Sequence, residues 1–172
     1  MPGKIADSIA EGNDRAMKED RMRSSAATEA ETGPAESSLA DNYFAVTRGI
    51  KVSVRPFYLE DQSQPDERQF VWAYRVRIEN HGPENVRLLR RTWHITDGRG
   101  RTQHVQGDGV LGEQPQLDPG EAFEYTSGTP LETPSGFMTG AYHMVSIASG
   151  EPFDVRIPTF SLDSPHQSGV IH

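Results

Sequence analysis

The amino-acid sequence predicts an all-β fold, an antiparallel sandwich of about seven short strands. From Tyr43 onward, apolar and polar residues alternate with the period of two that is typical of half-buried strands. Clusters of Gly, Pro, Asn and Asp separate these runs, and no convincing helical pattern follows Tyr43. An immunoglobulin-like or fibronectin-like sandwich of two sheets fits this pattern best, and a closed barrel is the alternative.

The clearest strand covers residues 70–78. Large apolar side chains occupy every second position there, so they share one face, which we expect to point into the core. They are Phe70, Trp72, Tyr74, Val76 and Ile78. The other predicted strands cover residues 50–58, 86–96, 102–105, 121–126, 137–147 and 153–157. We expect Pro158 to end the last of them, because proline cannot donate to a strand ladder.

Strict alternation assigns a face to each residue of the longer strands. In residues 86–96, one face carries Leu89, Trp93 and Ile95, and the other carries Leu88, Thr92 and His94. In residues 137–147, one face carries Met138, Gly140, Tyr142 and Met144.

Length and composition limit the classes of protein to which the chain can belong. Its 172 residues suffice for one domain with a sizeable core. The absence of cysteine excludes disulfides, zinc–thiolate sites and cysteine nucleophiles. A formal net charge of -8 disfavours general nucleic-acid binding, so we expect no nucleic-acid partner. No run approaches the roughly 18 apolar residues of a membrane span, and no signal-peptide pattern opens the chain. We therefore expect a cytoplasmic protein without a membrane partner.

The two ends of the chain differ from its middle. Residues 1–42 are rich in Glu, Asp, Ala and Ser and contain no aromatic residue. Because so few apolar side chains cannot offset the entropy of ordering the segment, we predict a disordered acidic leader. A regulatory or docking tail is the alternative. Residues 43–163 form the predicted domain, and residues 164–172 form a polar tail in which we expect His166 and His172 to be disordered.

A glycine-rich loop, residues 107–115, is the best candidate for a ligand site. Its glycines, Gly107, Gly109 and Gly112, allow positive φ angles and a close approach of the backbone to another group. Such a loop can present its N–H groups to an anion. The spacing resembles a dinucleotide fingerprint, but Pro115 and the turn at residues 118–120 prevent the helix that this fingerprint requires.

We predict that Asp108 and Glu113 join the three glycines in this ligand site, and that Arg99 or Arg101 adds positive charge to it. The two carboxylates oppose phosphate binding unless a divalent cation mediates it. The alternative is a tight crossover between sheets, in which the glycines only relieve steric conflict.

Two other groups of side chains are weaker candidates. A metal site could form from His94, His104 and His143 with carboxylates, but no pair of them has a typical ligand spacing, so we predict neither a metal nor a cofactor. Several arginines fall on strands that are adjacent in sequence, where they could form one basic patch or be balanced by Glu79, Glu84 and Glu124. They are Arg75, Arg77, Arg87, Arg90 and Arg91.

Nucleophilic catalysis is poorly supported by the sequence. Ser127 and Ser135 stand beside glycine, but neither has the strand, sharp turn and helix of a nucleophile elbow. We therefore predict that the protein is not an enzyme.

Four segments together resemble the ApaG family, which is also known as CorD. They are residues 91–97, 107–115 and 123–128, and residues 133–136 with Met138, Gly140 and Tyr142. The resemblance extends in order from about Tyr43 to Leu162, while residues 1–42 are longer than the usual family leader.

The resemblance implies a fibronectin type III-like sandwich, a link to cobalt and magnesium tolerance, and use as a module for protein interaction or ligand recognition. It also implies a nucleotide or pyrophosphate site at Gly107, Gly109 and Gly112, and it supplies no catalytic residues. Our leading hypothesis is a non-enzymatic module that binds an unidentified protein partner or a small phosphate-containing ligand. The alternative is cation-assisted binding or hydrolysis of a nucleotide or pyrophosphate at the glycine-rich loop. Exposed edge strands could pair two copies into a homodimer.

Overall fold

The computed structural model describes residues 43–167. The predicted leader, residues 1–42, lies outside the described residues, as do residues 168–172 with His172. Within the described residues, no helix is long and apolar enough to cross a membrane.

The described residues form β-strands joined by turns. The strands are β1 (Tyr43–Thr47), β2 (Ile50–Tyr58), β3 (Phe70–Asn80), β4 (Val86–Asp97), β5 (Thr102–Asp108), β6 (Gln116–Leu117), β7 (Ala122–Leu131), β8 (Gly136–Ser146) and β9 (Pro152–Leu162). Two 3-10 turns, Glu60–Gln62 and Pro65–Glu67, connect β2 to β3.

The strands form two antiparallel sheets that pack face to face, which confirms the predicted all-β sandwich. The first sheet has the order β1-β2-β3-β7. The second has the order β5-β4-β8-β9, with the short β6 also paired to β4. Because β3 and β4 belong to different sheets, their outward-facing residues lie on opposite sides of the molecule.

An aromatic cluster fills the space between the sheets. The five predicted core residues of β3 are all buried, which confirms the assignment from alternation. Trp93 of β4 lies among three rings, with centroid distances of 5.2 Å to Tyr74, 6.0 Å to Phe160 and 6.5 Å to Tyr142. Burial of such side chains contributes about 1.5–3 kcal/mol each to the free energy of unfolding, so this cluster holds the sheets together.

A β-bulge in β4 corrects the predicted facing of Leu88. Leu88 is paired with Met144 and Arg90 with His143, so Leu89 is an extra residue relative to β8. The extra residue reverses the alternation, and Leu88 is buried on the same side as Trp93 and Ile95. The prediction that Leu88 lies opposite these two residues is therefore wrong.

A second bulge carries β9 past Pro158. The pairing with β8 shifts there, and the strand continues to Leu162 with Phe160 and Leu162 both buried. The prediction that Pro158 ends the strand is wrong, because a bulge leaves a residue out of the ladder and tolerates proline there.

The segment after β9 packs on the sandwich instead of leaving it. The indole N–H of Trp72 donates to the carbonyl of Asp163 at 2.8 Å, and the Ser164 hydroxyl donates to that of Pro134 at 2.6 Å. The His166 ring contacts those of Tyr58 and Phe70, with centroid distances of 5.8 and 6.1 Å. The expectation that His166 is disordered is therefore wrong.

Candidate functional site

The glycine-rich loop begins where β5 ends and folds back on itself in a tight turn. Val110 and Glu113 exchange two backbone hydrogen bonds of 2.8 and 2.9 Å. The two residues between them, Leu111 and Gly112, both have positive φ angles, 52° and 74°, which is the pattern of a type I′ turn. Leu111 is strained by this conformation, at a cost of about 1–2 kcal/mol, and its side chain packs against the core.

The β4 bulge anchors this loop. The carbonyl of Leu89 accepts two hydrogen bonds, one from the N–H of Gly109 at 2.8 Å and one from the side-chain amide of Gln114 at 3.0 Å. The N–H of Leu88 donates to the carbonyl of Pro115 at 3.0 Å. The backbone on both sides of the bulge is thus bonded to the loop, which fixes the position of the loop relative to the second sheet.

Arg91 lies under the loop and explains one of the glycines. Its guanidinium donates to the carbonyls of Gly109 at 2.8 Å and Asp108 at 3.2 Å. A Cβ atom on Gly107 would lie only 2.8 Å from the nearest guanidinium nitrogen of Arg91. Gly107 therefore leaves room for this side chain.

The other two glycines also have local structural reasons. Gly109 has a φ of +59°, and a Cβ atom there would lie 2.1 Å from the carbonyl oxygen of Glu113. Gly112 has a φ of +74° with open space around it, so its requirement is conformational only. The N–H groups of Gly109, Val110 and Glu113 bond to carbonyls of the protein, which limits how many the loop could offer to an anion.

Asp108 and Glu113 flank this turn, and Asp108 is exposed. In the described part of the chain, no group of three or more His, Asp or Glu side chains is placed to hold a metal ion. The structure thus places the five predicted loop residues at the end of β5 and in the turn that follows it.

Arg99 and Arg101 lie at the opposite end of the β4–β5 hairpin from the loop. Thr102 and Asp108 are separated by the whole of β5, about 20 Å at the usual rise per residue. Arg101 instead contacts Asp97 at 2.9 Å and Glu132 at 3.5 Å. The structure therefore does not bring the two predicted anion contacts to the loop, and Arg91 lies there instead.

Asp97 organises that far end of the hairpin. Burial acts to raise the pKa of Asp97, but hydrogen bonds from the backbone N–H groups of Arg101 and Arg99 and from the Arg101 side chain outweigh it. The pKa of this carboxyl is therefore held below its usual value. Arg101 is thereby engaged in holding a turn.

The predicted arginine patch is divided between the two sheets. Arg75 and Arg77 contact Glu124 at 3.3 and 2.8 Å on the outer face of the first sheet. Arg87 and Arg90 lie on the second sheet, and Arg91 reaches under the loop. A single basic patch is therefore wrong, because sequence order placed β3 and β4 side by side whereas the fold places them in different sheets.

Arg90 differs from its neighbours because its guanidinium is unpaired. It is exposed, and in the described part of the chain it has no acidic partner within 4.0 Å. In register, Arg90 stands between Asp108 of β5 and His143 of β8. It therefore places a positive charge beside the end of β5, where the glycine-rich loop begins, and sequence reasoning included it only as one member of a broader patch.

His143 lies in a hydrogen-bonded relay that the sequence did not reveal. Its Nδ1 is 2.7 Å from an Asp154 carboxylate oxygen, and its Nε2 is 2.7 Å from the Thr92 hydroxyl. This order matches the acid, base and hydroxyl of a nucleophilic triad. However, Thr92 is paired on both sides, with Gln106 and Ala141. The backbone N–H groups around it therefore belong to ladders and supply no oxyanion hole.

The three histidines considered for a metal site do not form one group. His94 and His104 stand opposite each other on β4 and β5, whereas His143 is engaged with Thr92 and Asp154. Distance along the chain could not reveal this, since the pairing depends on the hairpin register.

A buried pair of tyrosines lies on the inner side of Arg91. The hydroxyls of Tyr125 and Tyr142, which come from opposite sheets, hydrogen-bond to each other. Burial raises the pKa of both phenols, and the positive charge of Arg91 acts weakly in the opposite direction. Both tyrosines therefore stay neutral in the physiological range and serve as a polar contact between the sheets.

Comparison with known proteins places this architecture in a family. A family model described as the ApaG domain matches residues 60–146. Protein ApaG of Rhodospirillum centenum is 69% identical over 124 residues, which cover 72% of this chain and 95% of that protein. Protein ApaG of Parvibaculum lavamentivorans is 60% identical over 130 residues, covering 76% of this chain and 99% of that protein.

A solved structure agrees with the sequence comparison. The crystal structure of an ApaA protein from Bordetella pertussis is 48% identical, with a TM-score of 0.66, and the alignment covers 72% of this chain and 97% of that one. None of these names states a reaction, a ligand or a partner. The match of the family model and the high identity over nearly the whole length of these relatives show that the chain belongs to the ApaG family.

Proposed function

We propose that this chain is a non-enzymatic recognition module, in the cytoplasm, that binds a protein partner or a small anionic ligand at the surface around Arg90 and the glycine-rich loop. The observation that carries the proposal is the exposed guanidinium of Arg90, which has no acidic partner among residues 43–167. Any part of this family in cobalt or magnesium tolerance would then act through what the module binds.

The guanidinium suits a carboxylate or phosphate group. Its fork of N–H donors can bind two oxygens at once. Other polar side chains lie close by on the same face. They are His143, which is opposite Arg90 in register and contacts both Asp154 and Thr92, and Thr92 itself, two residues along β4. A ligand that binds Arg90 would therefore meet a surface that already has further polar groups in place.

The charge around Arg90 favours a compact ligand over a long polyanion. Asp108 of β5 is exposed and pairs directly with Arg90 of β4. The whole chain carries a formal net charge of -8. Both features repel an extended row of phosphates. A single phosphate, a short polyphosphate or one acidic side chain of a partner protein meets less repulsion.

A thermal-shift series on the full chain tests the proposal. It uses pyrophosphate, nucleotides and diadenosine polyphosphates, each with and without Mg²⁺. A ligand at about 100 times its Kd raises the free energy of unfolding by roughly 2.7 kcal/mol. We expect a shift with the wild-type chain and its loss in Arg90→Gln.

Arg99→Gln is the matched control. Arg99 is also an exposed arginine of this hairpin, but it lies at the far end, so its replacement changes the net charge equally and should leave the shift intact. A Mg²⁺-dependent shift that Asp108→Asn removes would instead support cation-assisted nucleotide binding. A flat ligand series, together with a pull-down in which wild type and Arg90→Gln capture the same proteins, contradicts the proposal.

A further inference from the structure

We propose that His94 and His104 form a binding site for a late first-row transition-metal ion, such as Zn²⁺, Ni²⁺ or Cu²⁺, on the outer face of the second sheet. The two residues are direct cross-strand partners on β4 and β5. Their ring centroids are 4.3 Å apart, and Nδ1 of His94 lies 3.4 Å from Nε2 of His104.

This nitrogen separation suits a tetrahedral metal ion. Two imidazole nitrogens 3.4 Å apart, each about 2.05 Å from a shared ion, subtend an angle of about 110° at that ion. His104 is exposed and His94 is half-buried, so small rotations about the terminal side-chain bonds, which are soft, can aim both lone pairs at one point. Water would supply the remaining ligands.

The two rings present nitrogen atoms of the kind that metal ions bind. Neutral imidazole is the metal ligand, and Nδ1 of His94 and Nε2 of His104 already face each other. A metal ion would lie between these two nitrogens in place of their direct contact.

Among residues 43–167, the register positions next to the pair carry no cation that would repel an incoming ion. The neighbouring positions along the two strands and across to β8 are all uncharged and polar. They are Thr92, Thr96, Thr102, Gln106 and Thr139. The hydroxyls of Thr96 and Thr102 bond to each other at 3.0 Å. The net charge of the whole chain, -8, also favours the approach of a cation.

The ligand type sets the class of metal. Imidazole nitrogen suits Zn²⁺, Cu²⁺ and Ni²⁺, whereas Mg²⁺ and Ca²⁺ prefer oxygen ligands. The site is therefore separate from any Mg²⁺-assisted ligand at the glycine-rich loop. It is also four residues along β4 from Arg90, about 13 Å at the rise of a strand, so each proposal can fail without the other.

Isothermal titration of the full chain with NiCl₂, ZnCl₂ and MgCl₂ tests the site, with histidine side-chain NMR to identify the rings that are perturbed. We expect Ni²⁺ and Zn²⁺ to bind, and Mg²⁺ not to bind. Loss of a residue that only supports a metal ligand already lowers metal affinity by about 10–100-fold. His94→Gln and His104→Gln each remove a ligand itself, so each should lower the affinity for Ni²⁺ and Zn²⁺ by at least roughly tenfold. The variant that lacks both histidines should bind metal only slightly more weakly than either single variant, because the one ring that a single variant keeps cannot chelate the ion.

His81→Gln is the control, because His81 is an exposed histidine whose acidic contact is Glu79, at 3.2 Å. Its affinity for Ni²⁺ should match that of wild type, and unchanged circular dichroism should show that every variant is folded. Three results would overturn the site: no Ni²⁺ binding at millimolar metal, wild-type affinity in both single variants, or NMR perturbation confined to other histidines.

Discussion

Tyr125 and Tyr142 show how much a single pair of polar atoms can matter in this core. Each hydroxyl is buried, and each is the hydrogen-bond partner of the other across the two sheets. A tyrosine hydroxyl that loses its partner in such a place keeps the full cost of its desolvation. If both hydroxyls are removed together, neither of the two leaves the other without its partner.

We therefore expect Tyr125→Phe and Tyr142→Phe each to lower the free energy of unfolding by about 1–3 kcal/mol, and the double variant to be less destabilised than the sum of the two. Urea denaturation of the four proteins gives this coupling energy. Strict additivity would mean that the two hydroxyls are satisfied independently.

At the scale of residues, the sequence revealed which side chains are buried better than which polar groups meet. Alternation was enough to place Trp72 in the core and to put Tyr142 on one face with Met138 and Met144, which the structure shows to be buried. It could not pair Arg91 with the carbonyls of residues 108 and 109, or His143 with Thr92 and Asp154. Such contacts depend on cross-strand register, which the sequence does not state.

At the scale of elements, the glycine-rich loop offers a matched pair of substitutions. Gly109→Ala would place a Cβ atom 2.1 Å from the Glu113 carbonyl oxygen, whereas Gly112→Ala would place one in open space. Both positions have positive φ, so each carries the strain of a left-handed alanine, about 1 kcal/mol. Only Gly109→Ala adds a collision with backbone that cannot move without breaking the turn.

We expect Gly112→Ala to lower the melting temperature by a few degrees at most. Gly109→Ala should lower the melting temperature by more than that, because we expect it to reduce the free energy of unfolding by about 2 kcal/mol or more. Differential scanning calorimetry makes the comparison. Equal losses would show that the loop relaxes freely around Gly109.

The elements themselves were largely predictable, and the exceptions share a cause. β3 and β8 alternate without interruption on their inner faces, so their residues were assigned to the correct face. β1 was missed because its residues alternate only between exposed and half-buried positions. The bulges at Leu89 and Pro158 were missed because a period of two assumes that no residue is inserted.

At the scale of the whole molecule, residues 163–167 belong to the fold. Removal of residues 163–172 would take away the acceptor for the Trp72 indole and the ring that covers Tyr58 and Phe70. We expect a chain that ends at Leu162 to lose about 2 kcal/mol of unfolding free energy or more. A chain that ends at Gln167 retains these contacts and should melt with the full chain. Thermal unfolding of the full chain and of the two truncated chains measures the difference. Equal melting temperatures of the two truncated chains would show that these contacts contribute nothing to stability.

The sandwich was predictable from turn chemistry and alternation, but the distribution of strands between the sheets was not. Sequence order suggested that the arginines of β3 and β4 share a face, and the crossing of the chain from one sheet to the other separates them. The expectation of a homodimer through edge strands stays a prediction. The exposed Phe44 and Val46 on β1 mark where apolar surface is available at one such edge.

The bulge at Leu89 has a consequence for how this chain and its relatives can differ. Without Leu89, strict alternation along β4 would run unbroken through Val86, Leu88, Arg91, Trp93 and Ile95, so the core does not need the inserted residue. The loop does need it, because the Leu89 carbonyl holds Gly109 and Gln114. Bulge and loop are therefore structurally coupled, and a chain that lacks Leu89 would keep the hydrophobic pattern of the sandwich but lose the carbonyl that holds the loop.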